Sequence, residues 1–318
     1  MPLLSGAWEP QPPGSVPAPD PGPQPLKITY TDPDGNVWDW SDPTTGCVIT
    51  HVSGLGSPPA TVTSTSLPGG GALPSDYMPA QRQLVIGLDV ALEPQDRFLE
   101  LLDQLHRALW TERYGQPAPG KITVARPDGT ARTLSVLCTS GPEQTDTDAA
   151  RNAYTTSTVY ALTFVSTTDP MFTDQTPTRL LFQTNVDNSG VPPLPPVRLR
   201  ALRGFETQTI TNPGSGDAYP VWVIDGPGRP VLTNQTTGRT LSLATPLVEG
   251  ERVTIDTRPG QQQVIDSQGR DRWSDLVKTT PRDLWSLPAG DTEVTVRMDG
   301  AGASSKIELS FLPRWLRA

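Results

Sequence analysis

Apolar and polar residues alternate along many short stretches of this chain, with the period of two that is typical of half-buried β-strands. The alternation is clear over residues 294–298 and, after a turn rich in glycine and serine, again over 307–311. We interpret these two runs as a closing β-hairpin. Similar patterns predict hairpins over 28–40 and 120–138, whose turns read Asp-Pro-Asp-Gly and Arg-Pro-Asp-Gly.

One segment follows helical rather than strand spacing. Residues 93–115 place apolar side chains at the three- and four-residue intervals of an amphipathic helix, with Pro94 and Asp96 in the first turn and Gly115 at the end. The apolar stripe consists of Phe98, Leu101, Leu102, Leu105, Ala108 and Leu109. We expect this stripe to be buried against a sheet, and His106 beside it to have a packing role.

The patterns divide the chain into two folded units of a mainly β protein. Residues 26–172 combine strands with the single helix and predict an α+β domain. Residues 201–318 contain only strands and turns, at the roughly 8–12-residue spacing of a β-sandwich. Residues 173–200 predict a semi-rigid linker, and residues 1–25, with nine prolines, predict an extended arm. Residues 53–80 show no periodicity and predict a long loop.

The composition fits such a chain and limits its partners. Of 318 residues, 36 are Pro and 28 are Gly, which favours strands and turns over helices. Acidic residues outnumber basic ones by 34 to 25, and this net charge of −9 argues against binding to nucleic acid or to an anionic membrane surface. No apolar run reaches the roughly 18 residues of a membrane-spanning helix, and residues 1–25 lack the pattern of a signal peptide. We therefore expect synthesis in the cytoplasm, with Cys47 and Cys138 reduced.

Candidate chemistry is scarce. The sequence contains none of the phosphate-loop, nucleophile-elbow or zinc-protease motifs. A glycosidase needs two carboxylates that flank one bond, and the candidates are Asp225, Glu251 and Asp256, but these positions are strand ends and turns where acids are common. The acidic turn near residue 32 lacks the Glu that a calcium loop requires, since position 43 is Pro. We predict no catalytic residue, no metal and no cofactor, and a protein that is not an enzyme.

Three tryptophans of the second unit raise the alternative of sugar binding, because aromatic faces can stack on sugar rings. Trp222 lies within the strand PVWVIDG, where alternation predicts that it faces the core. Trp285 precedes the last pair of strands, and we expect its loop to pack against the core. Trp273 lies in a polar stretch and is left open between a core position and a carbohydrate-binding position.

Four stretches of the second unit, taken in order, resemble the C-terminal domain of siphophage distal tail proteins. They are ITNPGSGDAYPVWVIDGPG (210–228), LTNQTTGRTLSLATPLVEGERVTIDTRPGQQQV (232–264), DLWSLPAGDTEVTVRMDG (283–300) and SKIELSFLPRWL (305–316). They carry the family's Asn-Pro-Gly with a following Tyr-Pro, its Leu-x-x-Gly-Glu-x-x-x-Ile-Asp strand and its Trp-x-Leu-x-x-Gly loop. The first unit is more loosely similar to the family's ring-forming domain, through a strand–helix–strand unit that closes with ALTFVSTTDPMF.

The resemblance implies a fold and a role. The fold is a split-barrel-like, ring-forming α+β domain followed by a galectin-like β-sandwich. The role is that of a minor tail protein of the virion, a homohexameric baseplate hub ring that joins the tail tube to the host-contacting tip and lets DNA pass. The implied partners are the tail tube protein, a tail-tip hub or tail-associated protein and the tape measure protein. The alternative role is a carbohydrate-binding module for host cell-surface polysaccharide, with Trp273 as its candidate residue.

Overall fold

The described residues form two β-rich domains, and the strands of each bury alternate residues in a hydrophobic core of their own. The structure is a computed structural model that describes residues 26–143, 156–183, 199–203, 206–278 and 284–318. The mainly β fold class predicted from the sequence is confirmed. The predicted proline-rich arm, residues 1–25, lies outside the described residues.

The first domain is built on one large sheet. Its elements in chain order are β1 (Lys27–Thr31), β2 (Val37–Asp39), β3 (Cys47–Ser53), β4 (Ala60–Ser66), β5 (Ala72–Pro79), β6 (Gln83–Ala91), α1 (Gln95–Leu109), β7 (Glu112–Arg113), β8 (Gln116–Pro117), β9 (Gly120–Ala125), β10 (Ala131–Ser140), β11 (Ser157–Ser166) and β12 (Phe172–Asp174). The strands of the sheet follow the order β2-β1-β9-β10-β11-β6-β3, and β12 pairs with the start of β10. The sheet does not close into a barrel, since β2 and β3 at its two ends are not paired with each other. The two ends nevertheless approach each other, because Ile49 N of β3 donates to the carbonyl of Trp40, the residue after β2 (2.9 Å).

Helix α1 shares one hydrophobic core with this sheet. Its buried residues are Phe98, Leu102, Leu105, Ala108 and Leu109, while Leu101 is half-buried at the rim. The Tyr30 hydroxyl of β1 donates to Ala108 O (3.0 Å), which fixes the end of the helix against the sheet. His106 packs beside Tyr160, with Nε2 3.2 Å from the Tyr160 hydroxyl.

The helix ends earlier than the sequence predicts. It stops at Leu109 instead of Gly115, and β7 and β8 follow as a tight hairpin. Tyr114 and Gly115 have φ angles of 56° and 74°, which lie in the left-handed region that a type I′ hairpin turn requires. Gly115 is therefore a hairpin residue and not a helix terminator.

The interpretation of residues 53–80 as a long loop is wrong. Strands β4 and β5 pair with each other in antiparallel register. In the turn between them, Leu67 N donates to Gly71 O and Gly70 N donates to Leu67 O. All residues of both strands are exposed, so neither strand has an inward face that would produce an alternating pattern in the sequence.

The second domain is a β-sandwich. Its strands are β13 (Thr178–Gln183), β14 (Leu199–Arg203), β15 (Thr207–Asn212), β16 (Val221–Asp225), β17 (Arg229–Asn234), β18 (Arg239–Leu243), β19 (Arg252–Asp256), β20 (Gln263–Asp266), β21 (Leu276–Lys278), β22 (Gly290–Asp299) and β23 (Lys306–Phe311), and β24 (Arg314–Trp315) follows. One sheet has the order β14-β13-β23-β16-β19-β20, and the other has the order β15-β22-β17-β18-β21. Inward-facing residues of both sheets form a second hydrophobic core.

The two closing strands are not a hairpin, which corrects the interpretation of residues 294–311. Strand β22 pairs with β15 and β17 in one sheet, whereas β23 pairs with β13 and β16 in the other. The alternating apolar residues of both strands are buried, because they fill the same core from opposite sides.

The predicted linker over 173–200 includes residues that form strands, while residues 184–198 lie outside the described residues. Strand β12 belongs to the sheet of the first domain, and β13 is already a strand of the sandwich. The chain then returns from the sandwich, since β24 pairs with β12. Together β12, β13, β23 and β24 form an antiparallel two-stranded path from one domain into the other, which we call the interdomain ribbon.

Candidate assembly surfaces

The hairpin of β4 and β5 exposes apolar side chains to solvent. Its large exposed residues, 47% to 70% exposed, are Val62, Leu67, Leu73, Tyr77 and Met78. Asp76 is the one charged residue between positions 60 and 79. A two-stranded hairpin without further support is marginally stable in water, and exposed apolar strands invite contact with another chain. This hairpin therefore has the properties of an assembly surface.

The first-domain sheet offers a second such surface at its open seam. Strands β2 and β3 stand at its two ends, and an edge strand presents backbone donors and acceptors to any neighbouring chain. A cleft of about 620 Å³ lies at the seam and is lined by Leu26, Trp40 and Val52 among others.

The three tryptophans of the sandwich occupy different environments. Trp222 and Trp285 are buried and pack edge to face, with ring centroids 5.6 Å apart. Trp273 lies in a short 3₁₀ turn and is 36% exposed. The Lys278 ammonium lies 4.6 Å from the centre of its ring. Trp273 is therefore a surface residue with one ring face covered by a cation.

The three acids considered for glycosidase chemistry are all engaged in ion pairs. Each is bound to an arginine: Asp225 to Arg252, Asp256 to Arg258 and Glu251 to Arg272. Asp256 lies opposite Val221, at the other end of β16 from Asp225, which separates the two backbones by about 13 Å. Glycosidases hold their carboxyl groups roughly 5 to 10 Å apart.

The charge state of Asp225 also argues against a role as an acid catalyst. Burial raises its pKa, but hydrogen bonds from Arg252 and Lys306 outweigh burial and hold the pKa below its ordinary value. The group is therefore ionised at neutral pH and has no proton to donate.

In the part of the chain that the structure describes, no group of three or more His, Cys, Asp or Glu side chains is arranged to hold a metal ion. Over the same residues, no helix meets the length and hydropathy of a membrane span.

Two arginines that the sequence analysis did not single out bind distant parts of the chain together. The first, Arg82, is 1% exposed. Its guanidinium donates to Pro170 O (2.6 Å), Gly54 O (2.7 Å) and Leu316 O (2.7 Å), and also to Gly56 O. Because these partners lie far from residue 82 in the chain, no local pattern could have revealed the site.

The second arginine, Arg314, lies on the interdomain ribbon. Its guanidinium makes two hydrogen bonds of 2.7 Å to the carboxylate of Asp169 in the first domain and donates to Asp217 O in the sandwich. It also lies over the ring of Tyr219, 4.8 Å from the ring centre. Arg314 thus connects the two domains directly.

The architecture has counterparts among solved structures. No protein-family model matches the chain, and no curated protein matches it. The crystal structure of the Dit protein of phage SPP1 matches with a TM-score of 0.62 and 12% sequence identity, over 92% of this chain and 99% of that chain. This chain has the distal tail protein fold. The SPP1 protein is described as a paradigm of the hub adsorption apparatus in phages that infect Gram-positive bacteria.

Two further solved structures match the chain with lower TM-scores. They show the phage p2 baseplate in its activated conformation, with strontium and with calcium, at TM-scores of 0.49 and 0.47 and 10% identity, over 90% of this chain and 98% of theirs. The SPP1 match extends over both domains, so the resemblance to siphophage distal tail proteins that the sequence indicates is confirmed for the fold.

Proposed function

We propose that this chain is a structural protein of a phage tail tip, and that six copies form a hub ring joining the tail tube to the host-contacting tip. The first domain builds the ring, and the sandwich lies outside it. The partners are the tail tube protein, a tail-tip hub or tail-associated protein and the tape measure protein. The role is structural and not catalytic.

The observation that carries the proposal is the exposed hairpin of β4 and β5. A monomer leaves Val62, Leu73, Tyr77 and Met78 in water, which is unfavourable because each buried apolar side chain contributes about 1.5 to 3 kcal/mol. Contact with a neighbouring copy removes this surface from solvent and supports the hairpin. The open edges β2 and β3 provide further sites for pairing between copies.

The test is the mass of the assembly in solution, measured by native mass spectrometry. We expect the wild-type chain to form hexamers and the double variant Leu73→Asp/Tyr77→Asp to remain monomeric. Val248→Asp is the matched control, because Val248 is 67% exposed but lies in the sandwich. A wild-type monomer, a ring of another number, or a hairpin variant that still forms hexamers contradicts the proposal.

The proposed ring surrounds a channel for DNA. Each contact of Lys or Arg with a phosphate adds a salt-dependent attraction that slows passage, so we expect the channel wall to be acidic or neutral. The excess of 34 acidic over 25 basic residues supports this expectation. DNA that binds tightly to the isolated ring at about 150 mM salt, where weak non-specific attraction is partly screened, contradicts it.

A second candidate function is recognition of host polysaccharide by the sandwich. The exposure of Trp273, in contrast to the burial of Trp222 and Trp285, favours it. We expect Trp273→Ala to abolish binding to host cell-wall glycan, measured by titration calorimetry, and Trp110→Ala to leave it unchanged, since Trp110 is exposed in the first domain. A Trp273→Ala variant that keeps its affinity excludes this assignment.

A further inference from the structure

A cleft of about 760 Å³ opens where the two domains meet. Both domains and the interdomain ribbon contribute to its walls, which include Pro170, Thr173, Tyr219, Pro259, Gln261 and Phe311. The full lining contains four prolines and two aromatic rings, together with the apolar Met78, Val221 and Leu312. Such a lining is suited to an apolar ligand that presents ring surfaces of its own.

The charged groups of the cleft are already paired. Arg314 makes its two hydrogen bonds to Asp169 and covers one face of Tyr219. Arg258 binds the carboxylate of Asp256 through Nε and Nη2. The cleft therefore lacks the excess charge that would select a phosphate, a nucleotide or an acidic peptide, and it suits a ligand with little charge.

The chain itself contains a segment of this chemistry. Residues 1–25 include nine prolines, and their only charged side chains are those of Glu9 and Asp20. Proline-rich segments favour the polyproline II conformation, whose backbone carbonyls have no internal partner. Aromatic-lined grooves recognise such segments by packing against the proline rings and donating hydrogen bonds to these carbonyls. Tyr219, Arg258 and Gln261 carry donor groups at the cleft.

The segment is attached close enough to reach the cleft. Lys27, the first residue of β1, lies opposite Ala125 of β9, which in turn lies opposite Ala131 of β10. The next residue of β10 lies opposite Asp174 of β12, which follows the cleft residue Thr173. Three strand spacings amount to about 15 Å, and about five residues in polyproline II conformation cover that distance. Most of the 25-residue segment is then left to enter the cleft.

We propose that residues 1–25 of the same chain bind in the interdomain cleft as an extended proline-rich segment, packed against Tyr219. Covalent attachment makes this contact effective even when it is weak. A short tether gives an effective concentration in the millimolar range. The segment therefore occupies the cleft even if the dissociation constant of the free peptide is as weak as about a millimolar. The occupied cleft then fixes the sandwich relative to the first domain.

The first test compares the full chain with a chain that begins at Leu26, by hydrogen–deuterium exchange at monomeric concentration. Truncation should raise exchange several-fold in peptides covering 167–173, 218–222 and 257–261. It should leave the turn of β17 and β18, around residues 235–238, unchanged. The variant Tyr219→Ala in the full chain should reproduce the effect of truncation, whereas Tyr114→Ala, a fully exposed tyrosine of the first domain, should not. Unchanged exchange at the cleft, or a change confined to the seam near Leu26, overturns the proposal.

A second measurement identifies the occupant without destabilising the cleft. Benzoylphenylalanine in place of the exposed Gln261 should form a photo-crosslink to a peptide from residues 1–25 of the same chain, in a yield that does not depend on protein concentration. A crosslink whose yield rises with concentration means that a second copy fills the cleft. A crosslink found only on Met78 or Pro79, which line the cleft in the same chain, means that residues 1–25 do not occupy it. Either result overturns the assignment. Because both measurements are made on the monomer, their outcome is independent of whether the chain forms a hexameric ring.

Discussion

Arg82 shows how one side chain can hold three segments of a fold together. Its guanidinium donates to carbonyls before β4, after β11 and in the C-terminal segment, and lies 4.7 Å from the ring centre of Phe172. Burial lowers its pKa to about 10, so the group remains charged at neutral pH. The buried carbonyl groups need this guanidinium as their hydrogen-bond donor, because they point toward it.

We expect Arg82→Lys to lower the free energy of unfolding by about 3 kcal/mol or more. A single ammonium cannot reach carbonyls on three segments, and each buried polar group left without a partner costs roughly 1 to 3 kcal/mol. Urea denaturation measures the change, and Arg97→Lys, on the exposed face of α1, is the control. A loss within about 0.5 kcal/mol of the control, the level of a neutral surface change, contradicts the role assigned to Arg82.

At this scale, the sequence identifies residues whose environment is set by local periodicity. Trp222 follows the period of a strand and Phe98 the spacing of a helix, and both are buried where these patterns place them. The roles of Arg82 and Arg314 could not be predicted from local periodicity, because their partners lie in segments that come close only in the folded chain. The environment of Trp273 could be predicted only in part. Its polar stretch indicates that the side chain is exposed, but it does not indicate that Lys278 covers one face of the ring.

Among the elements, helix α1 is the one whose contribution can be measured most directly. Leu105 is fully buried in the core shared with the sheet. We expect Leu105→Ala to lower the free energy of unfolding by about 2 to 5 kcal/mol, as truncation of a core leucine does.

The same helix supplies a matched control. Leu99 is 45% exposed, so Leu99→Ala should cost less than about 1 kcal/mol. Equal losses for the two variants, measured by urea denaturation, would mean that α1 does not pack with its stripe toward the sheet.

The elements also show why strands are easier to predict than their pairing. The alternation in β22 and β23 shows that one face of each strand is buried. It does not show whether the two strands pair in one sheet or face each other from opposite sheets, because both arrangements bury alternate residues. Six residues between Asp299 and Lys306 allow the chain to cross between sheets. Strands β4 and β5 show the opposite failure: they are exposed on both faces and carry no alternation of apolar and polar residues, although β4 is rich in β-branched residues.

In the whole molecule, the C-terminal segment stabilises the first domain although it follows the sandwich. Trp315 donates from Nε1 to Asp174 (2.8 Å) and packs under Arg132, whose guanidinium donates to Arg317 O (2.6 Å). Ala318 N donates to Leu55 O (3.0 Å). The sequence predicts that this segment belongs to the sandwich, because it directly follows the last sandwich strand in the chain. Its contacts with the first domain become visible only in the folded structure.

We expect removal of residues 315–318, which keeps Arg314 and its contacts with the sandwich, to lower the melting temperature of the first domain while leaving that of the sandwich nearly unchanged. Strand β23 ends at Phe311, so the sandwich keeps its strands. The first domain loses Trp315, the Leu316 carbonyl bound by Arg82 and the Arg317 carbonyl bound by Arg132. Scanning calorimetry should resolve two transitions. Leu316→Ala, which keeps the backbone carbonyl, should behave as the wild type; a uniform shift of one transition in the truncated chain contradicts this account.

The interdomain ribbon has a mechanical consequence. Two antiparallel strands leave the first domain side by side and enter the sandwich side by side, so tension applied to the sandwich is divided between two lengths of backbone rather than carried by one. A single strand would allow torsion about every backbone bond, whereas a paired ribbon resists stretching and twisting and bends most easily perpendicular to its own plane. The sandwich can therefore move easily in one direction relative to the first domain, by bending of the ribbon, and the ribbon resists its movement in the other directions.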